Sequence, residues 1–190
     1  MAEITDRPAT YADLEAVPPH LVAELLRGRL VTHPRPAPAH AEVHFCLGAV
    51  LGGPFRNGIG GPGGWRFLTE PELHLGDDVA VPELGAWRIE RMLELPDTCY
   101  IELAPDWVCE VLSKSTEKYD RGEKQEIYAE AGVQHLWLVD PRIELLEVFE
   151  LINGHWSLRN TFTASAPVRA APFDAIAFPL SLLWPLGLKG

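Results

Sequence analysis

Cysteine is scarce in this 190-residue chain, and Cys46, Cys99 and Cys109 are odd in number with no C-x-x-C pair. That argues against a disulfide framework or a structural zinc site, and buried free thiols are the expectation. No run approaches the ~18–20 apolar residues of a membrane span. The N-terminal Met-Ala-Glu-Ile-Thr-Asp-Arg-Pro has neither a basic head nor an apolar stretch, so no secretory signal is read and a cytoplasmic protein without membrane contact is expected. Basic residues are few as well: 16 Lys and Arg against 27 Asp and Glu give a formal charge of −11, the reverse of the usual nucleic-acid footprint. Any polyanionic partner has to meet a local basic patch or a bound metal, and Arg27, Arg29, Arg35, Lys114, Lys118 and Arg121 are the candidates for phosphate contacts.

Several catalytic patterns are missing too. There is no G-x-x-x-x-G-K-[ST] phosphate cradle and no G-x-S-x-G nucleophile elbow. His40-Ala41-Glu42-Val43-His44 spaces two imidazoles one helical turn apart, but a zincin needs the Glu directly after the first His. These histidines read as helix-surface residues.

What is present is a folded chain. An apolar fraction of 47% with six Trp and seven Phe rules out disorder, and the length fits one domain, residues 1–190. Thr10 with Asp13 three residues on opens a short helix that Pro18-Pro19 ends, making residues 1–20 an N-terminal helical extension. Residues 21–26 have helical spacing. Residues 28–32 read as a strand stopped by the Pro-rich loop 33–38, and 39–51 as a helix ended by Gly52-Gly53-Pro54. After a Gly-rich loop at 57–64, strands are expected over 65–70, 73–75, 78–83 and 106–112. The last is almost wholly apolar, as a central strand should be. A helix follows over 115–131 with Gly132 behind it, then a strand over 134–139, a hairpin turning at Asn153-Gly154, and an edge strand in 175–184. Trp65, Trp87, Trp107 and Trp137 fall on strands and are expected in the core. The class is α+β or mixed α/β, a central mixed sheet flanked by helices with a C-terminal β-hairpin.

Within the central strand stands an acid. Glu110 lies between Val108, Cys109, Val111 and Leu112, where an unpaired charge costs several kcal/mol unless a cation offsets it. Alternation places Asp106, Val108, Glu110 and Leu112 on one face. If Glu83 closes the strand before it, Glu83 and Glu110 can share one hard divalent ion, Mg²⁺ or Mn²⁺. Lys124 lies on the helix face that packs on the sheet, beside Ile127 and Tyr128, and its stem can bring an ammonium to Glu110. A metal-bound water with a Lys to orient it points to phosphodiester hydrolysis. The alternatives stay open: Glu83 as a solvated turn acid, Lys124 paired with Asp120 one turn away, Glu110 paired with an Arg.

The run Pro105-Asp106-Trp107-Val108-Cys109-Glu110-Val111-Leu112-Ser113, followed by Ser115-Thr116, Asp120, Lys124, Tyr128, Gly132-Val133 and Trp137-Leu138-Val139-Asp140-Pro141, resembles the Uma-two family within the PD-(D/E)XK nuclease superfamily. The likeness runs upstream through Glu24, Gly28-Arg29-Leu30, Pro34-Arg35-Pro36 and His40, so residues 22–184 match a nuclease-like domain. It implies a restriction-endonuclease-like core, Glu83 and Glu110 as catalytic metal ligands, and Lys124 as the catalytic lysine moved from strand to helix. Leu112 holds the strand position where the superfamily keeps its Lys. It also implies Glu24 as an acid near the metal, with Asp106 a further candidate that caps or orients its strand. Glu83 departs from the Asp more frequent there. The expected activity is a Mg²⁺-dependent endonuclease acting on nucleic acid, DNA first, as a homodimer. The competing expectation is a catalytically inactive nuclease-fold binding or assembly module.

Overall fold

A two-residue turn organises the start of the chain. In the computed structural model, which describes residues 7–184, Arg27 and Gly28 both take positive φ, 53° and 74°. That backbone suits a primed hairpin turn, whose twist matches paired strands. It folds β1 (Leu21–Leu26) antiparallel onto β2 (Arg29–Pro34) in unbroken register. Residues 21–26 are thus a strand where a helix was expected, because six residues are too few to hold a helix while the hairpin offers a complete ladder. Ahead of it, α1 (Tyr11–Glu15) starts at Thr10 as its sequence predicts, the Asp13 carboxylate accepting from the Thr10 N–H and hydroxyl at 2.7 Å each. Residues 1–6 of the expected extension lie outside the described residues.

Next come α2 (Pro38–Leu51), β3 (Trp65–Thr69), β4 (Leu73–Leu75), β5 (Asp78–Ala80), β6 (Leu84–Arg88) and β7 (Trp107–Val111). The run 78–83, expected as one strand, stops at Ala80; Pro82 has no N–H for a ladder, and Glu83 lies in the link before β6. The helix expected over 115–131 is two, α3 (Glu117–Asp120) and α4 (Glu123–Glu130), separated at Gly122. After β8 (His135–Asp140), β9 (Leu145–Ile152) and β10 (His155–Thr163) form the hairpin, with Asn153 and Gly154 at φ 52° and 78°. The tail differs from the expected edge strand. It contributes only β12 (Phe178–Pro179), paired with β11 (Pro167–Val168), and a 3-10 turn over Leu180–Leu183 that buries Leu180 and Leu183. Of the cysteines only Cys109 is buried; Cys46 is half-buried and Cys99 is exposed in a loop.

Two sheets result. The larger has the order β10-β9-β8-β7-β6-β3 and is antiparallel except for β7 and β8, which run parallel because α3 and α4 carry the chain across between them. The smaller has the order β2-β1-β5-β4. The protein is α+β, a central mixed sheet flanked by few helices. On one face of that sheet Trp107, Cys109, Val111 and Trp137 pack with α2 and the C-terminal residues Phe173 and Leu183. On the other, Val108, Leu112, Leu136 and Leu138 pack with Ile127 and Tyr128 of α4 and with Leu26 and Leu73 of the smaller sheet. Strand β7 is therefore covered on both sides, and all five of its residues are buried.

Candidate active site

Alternation along β7 sends Glu110 toward α4, into the second of these cores, where it is 1% exposed. Its Oε1 accepts from the Tyr128 hydroxyl at 2.6 Å and forms an ion pair with Lys124 Nζ at 2.9 Å. The same ammonium lies 3.0 Å from Oε1 of Glu24 and 3.5 Å from Oδ1 of Asp120. Glu24 reaches in from β1, and its Oε1 also accepts from the Val81 N–H at 2.8 Å. Glu83 arrives beside Glu110 because Leu84, the first residue of β6, pairs with Cys109 of β7. Its Oε2 accepts from the Val111 N–H at 3.1 Å, and its Oε1 is 3.0 Å from Nε2 of His40.

Residues 24, 83, 110 and 124 thus meet in one place. Asp106 does not join them: its carboxylate accepts from the Arg88 N–H at 2.8 Å and pairs with Arg91 at 2.7 Å, at the opposite end of β7. The pairing of Lys124 with Asp120 is also present, as a third contact on a lysine that already holds Glu24 and Glu110. His40 corrects the surface reading of the histidines. It is 8% exposed and belongs to the buried stripe His40, Val43, Leu47 and Leu51 of α2, a spacing visible in the sequence. His44, one turn on, is half-buried.

Burial pushes the Glu110 carboxyl well above the carboxylate range against the pull of Lys124, with the charge of Glu83 adding to the push. Burial acts on Glu83 in the same sense, but the His40 hydrogen bond, then Glu110 and Lys124, outweigh it and hold Glu83 at about 2. Asp120 is raised to about 6, chiefly by burial. Burial alone would lower Lys124, yet Glu110 and Glu24 hold it well above its ordinary value. The two carboxyls are pushed in opposite directions, with a hydrogen bond between them among the causes on each. Ionised together, as a cation would hold them, neither can donate to the other, and Glu110 Oε2 is then a buried oxygen without a partner.

That orphaned oxygen, next to an ionised carboxylate, is what a cation would satisfy. Three carboxylates, Glu24, Glu110 and Asp120, pair with one ammonium, Glu83 lies beside Glu110, and hard oxygen donors suit Mg²⁺ or Mn²⁺. The residues that fit such an ion are the pair Glu83 and Glu110, because Lys124 takes only Oε1 of Glu110 and leaves its Oε2 beside Glu83. Among the described residues no group of three or more His, Cys, Asp or Glu is placed to hold a metal ion.

A cleft of about 250 Å³ opens onto Glu83 and His40, walled by His33, Arg35, Ser115 and Thr116. A larger hollow of about 1010 Å³ lies between the N-terminal segment and the end of α4 and touches none of Glu83, Glu110 and Lys124. Three of the six cations expected to meet phosphate are engaged elsewhere. Arg27 pairs with Asp78 and Glu130, Arg29 with Glu123, and Arg121 with Glu117 and Glu147. Arg35, at the cleft, is 3.8 Å from Glu70 and 58% exposed, which leaves it available at the rim.

No curated protein matches the chain. Among solved structures, the crystal structure of a "putative nuclease" from Anabaena variabilis is similar, with a TM-score of 0.75 and 19% identity over 93% of this chain and 97% of that one. At that identity the likeness concerns the fold. A family model, Uma2, described as "putative restriction endonuclease", matches residues 8–181, and the chain belongs to that family.

Proposed function

We propose that this chain is a metal-dependent endonuclease that hydrolyses phosphodiester bonds of nucleic acid, DNA in the first instance, within a single domain. The observation that carries the reading is the convergence of Glu83, Glu110 and Lys124, with Lys124 on Oε1 of Glu110 and its buried Oε2 left for a cation. Membership of the Uma2 family supports it. Glu83 and Glu110 would hold Mg²⁺ or Mn²⁺, which when bound supplies charge neutralisation at the phosphoryl group and a more acidic water.

The chain's own residues do the rest. Lys124 keeps its proton and presents a fixed positive charge, so it donates to the attacking water or to a phosphoryl oxygen. One such preorganised donor is worth about 3–4 kcal/mol of transition-state stabilisation. Glu24 and Asp120 hold that ammonium from behind, and Glu24 also fixes the Val81 backbone. Tyr128 orients Glu110 by its hydrogen bond. Arg35, at the rim of the cleft that opens onto Glu83, is placed to meet the strand being cut. A cytoplasmic location and a homodimer belong to the same proposal; among the described residues no helix is long and apolar enough to cross a membrane.

One observation favours the inactive binding module instead. Lys124 already sits among three carboxylates, a self-sufficient ion cluster. Purified protein with Mn²⁺ or Mg²⁺ on plasmid DNA and on RNA separates the two. The nuclease reading expects nicking that is lost in Glu110→Gln and Lys124→Ala while both variants stay folded. Equal cleavage by wild type and both variants assigns the activity to a contaminant, and no cleavage with no Mn²⁺ binding leaves the module.

A further inference from the structure

Glu83 enters the site from a link rather than from a strand, on a side chain with three rotatable bonds. Left free, such a carboxylate spreads over many rotamers. Here both of its oxygens are held. Nε2 of His40 lies 3.0 Å from Glu83 Oε1 and 2.6 Å from the Val111 carbonyl oxygen, while the Val111 N–H reaches Glu83 Oε2 at 3.1 Å. Both neighbours of Nε2 are acceptors, so the ring carries a proton there and donates it. The two ends of the Val111 residue, N–H and C=O, therefore grip the carboxylate and the imidazole respectively. This closed clamp ties α2, the link before β6 and the end of β7 together. His40 cannot swing away, because it is buried on the stripe that holds Val43 and Leu47 in the core.

We propose that His40 is a positioning residue, fixing the Glu83 carboxylate so that its remaining lone pairs, with those of Glu110, meet a divalent cation. The inference rests on the metal-dependent reading above. Removing an outer hydrogen bond from a metal ligand weakens metal binding about 10–100-fold.

The test is calorimetric titration of Mn²⁺ alone into the full chain, as wild type, His40→Ala, His40→Gln and Glu83→Ala, each checked for a cooperative thermal melt. Gln carries an amide N–H at roughly the reach of Nε2. The expected result is Mn²⁺ binding about 10–100-fold weaker in His40→Ala, largely recovered in His40→Gln, with Glu83→Ala at least as weak as His40→Ala. If His40→Ala does not melt cooperatively, His40→Leu, which fills the space but cannot donate, replaces it. Wild-type affinity in a folded His40→Ala or His40→Leu overturns the positioning role and leaves the metal reading standing. A His40→Gln as weak as His40→Ala, with the same loss of melting temperature, makes the role structural and also overturns it. Absence of Mn²⁺ binding by the wild type removes the metal reading, and this inference with it.

Discussion

Lys124 Nζ lies 2.9 Å from Oε1 of Glu110 and 3.0 Å from Oε1 of Glu24, so one buried ammonium is shared by carboxylates from two different sheets. A neutral side chain at position 124 leaves those charges uncompensated, which at a buried pair costs on the order of 3–5 kcal/mol. Lys124→Met is expected to lower the unfolding free energy by about that much in urea at neutral pH. The loss should shrink in Lys124→Met/Glu110→Gln, because the second change removes one of the orphaned charges. Additive losses in the double variant would show that the two groups do not interact.

Tyr128 donates to the same Glu110 oxygen at 2.6 Å. Tyr128→Phe keeps the ring in the core and removes only the donor, so the expected cost is about 1–3 kcal/mol, that of a buried acceptor left short. Urea unfolding at constant m-value measures it. A variant as stable as wild type would mean that the hydroxyl does not support Glu110.

How much of this was legible follows from the kind of signal each residue carries. Glu110 and Lys124 stand on strongly patterned elements, an apolar strand and a helix face, and alternation plus helical spacing suffice to aim them at each other. The strand order could be guessed only in part, because the pairing of β1 with β5 joins segments far apart in sequence. Residues 21–26 misled because six residues carry too little periodicity to separate helix from strand, and the informative signal was Arg27-Gly28 just after them. His40 was on the page as part of the stripe His40, Val43, Leu47 and Leu51, but a polar residue on an apolar stripe reads as an exception until its partner Glu83 is seen. Asp106 shares the face of Glu110, yet sharing a face does not bring two residues to one end of a strand.

Gly122 separates α3 from α4 and sets where Lys124 begins its approach. A Cβ added there would lie 2.8 Å from the Lys118 carbonyl oxygen. A backbone oxygen cannot step aside cheaply. Gly122→Ala is expected to cost about 1–3 kcal/mol and to shift the first turn of α4, weakening the contact of Lys124 with Glu110. Urea unfolding reads the cost and nuclease assay reads the shift. A variant with unchanged stability and activity would show that a continuous helix serves equally well.

Asp140, at the end of β8, accepts from Nε of Arg142 at 2.8 Å and from its N–H at 3.0 Å, and Arg142 also reaches Glu117 of α3 at 2.7 Å. The hydrogen bond from Arg142 outweighs burial and holds the Asp140 carboxyl below its ordinary range. Between the unfolded value, near pH 4, and the lower folded one, the unfolded chain binds more protons than the native one. The stability contributed by Asp140 is therefore complete above about pH 4 and is lost as the pH falls through the folded value. Asp140→Asn should cost about 1–3 kcal/mol at pH 7, with the gap to wild type closing in acid. A gap that stays constant from pH 7 down through the acid range would rule out the charge as its cause. Because Arg142 joins β8 to α3, the element that leads into α4, acid should also loosen the helix that carries Lys124 before it melts the central sheet, and hydrogen exchange along α4 at falling pH checks that order.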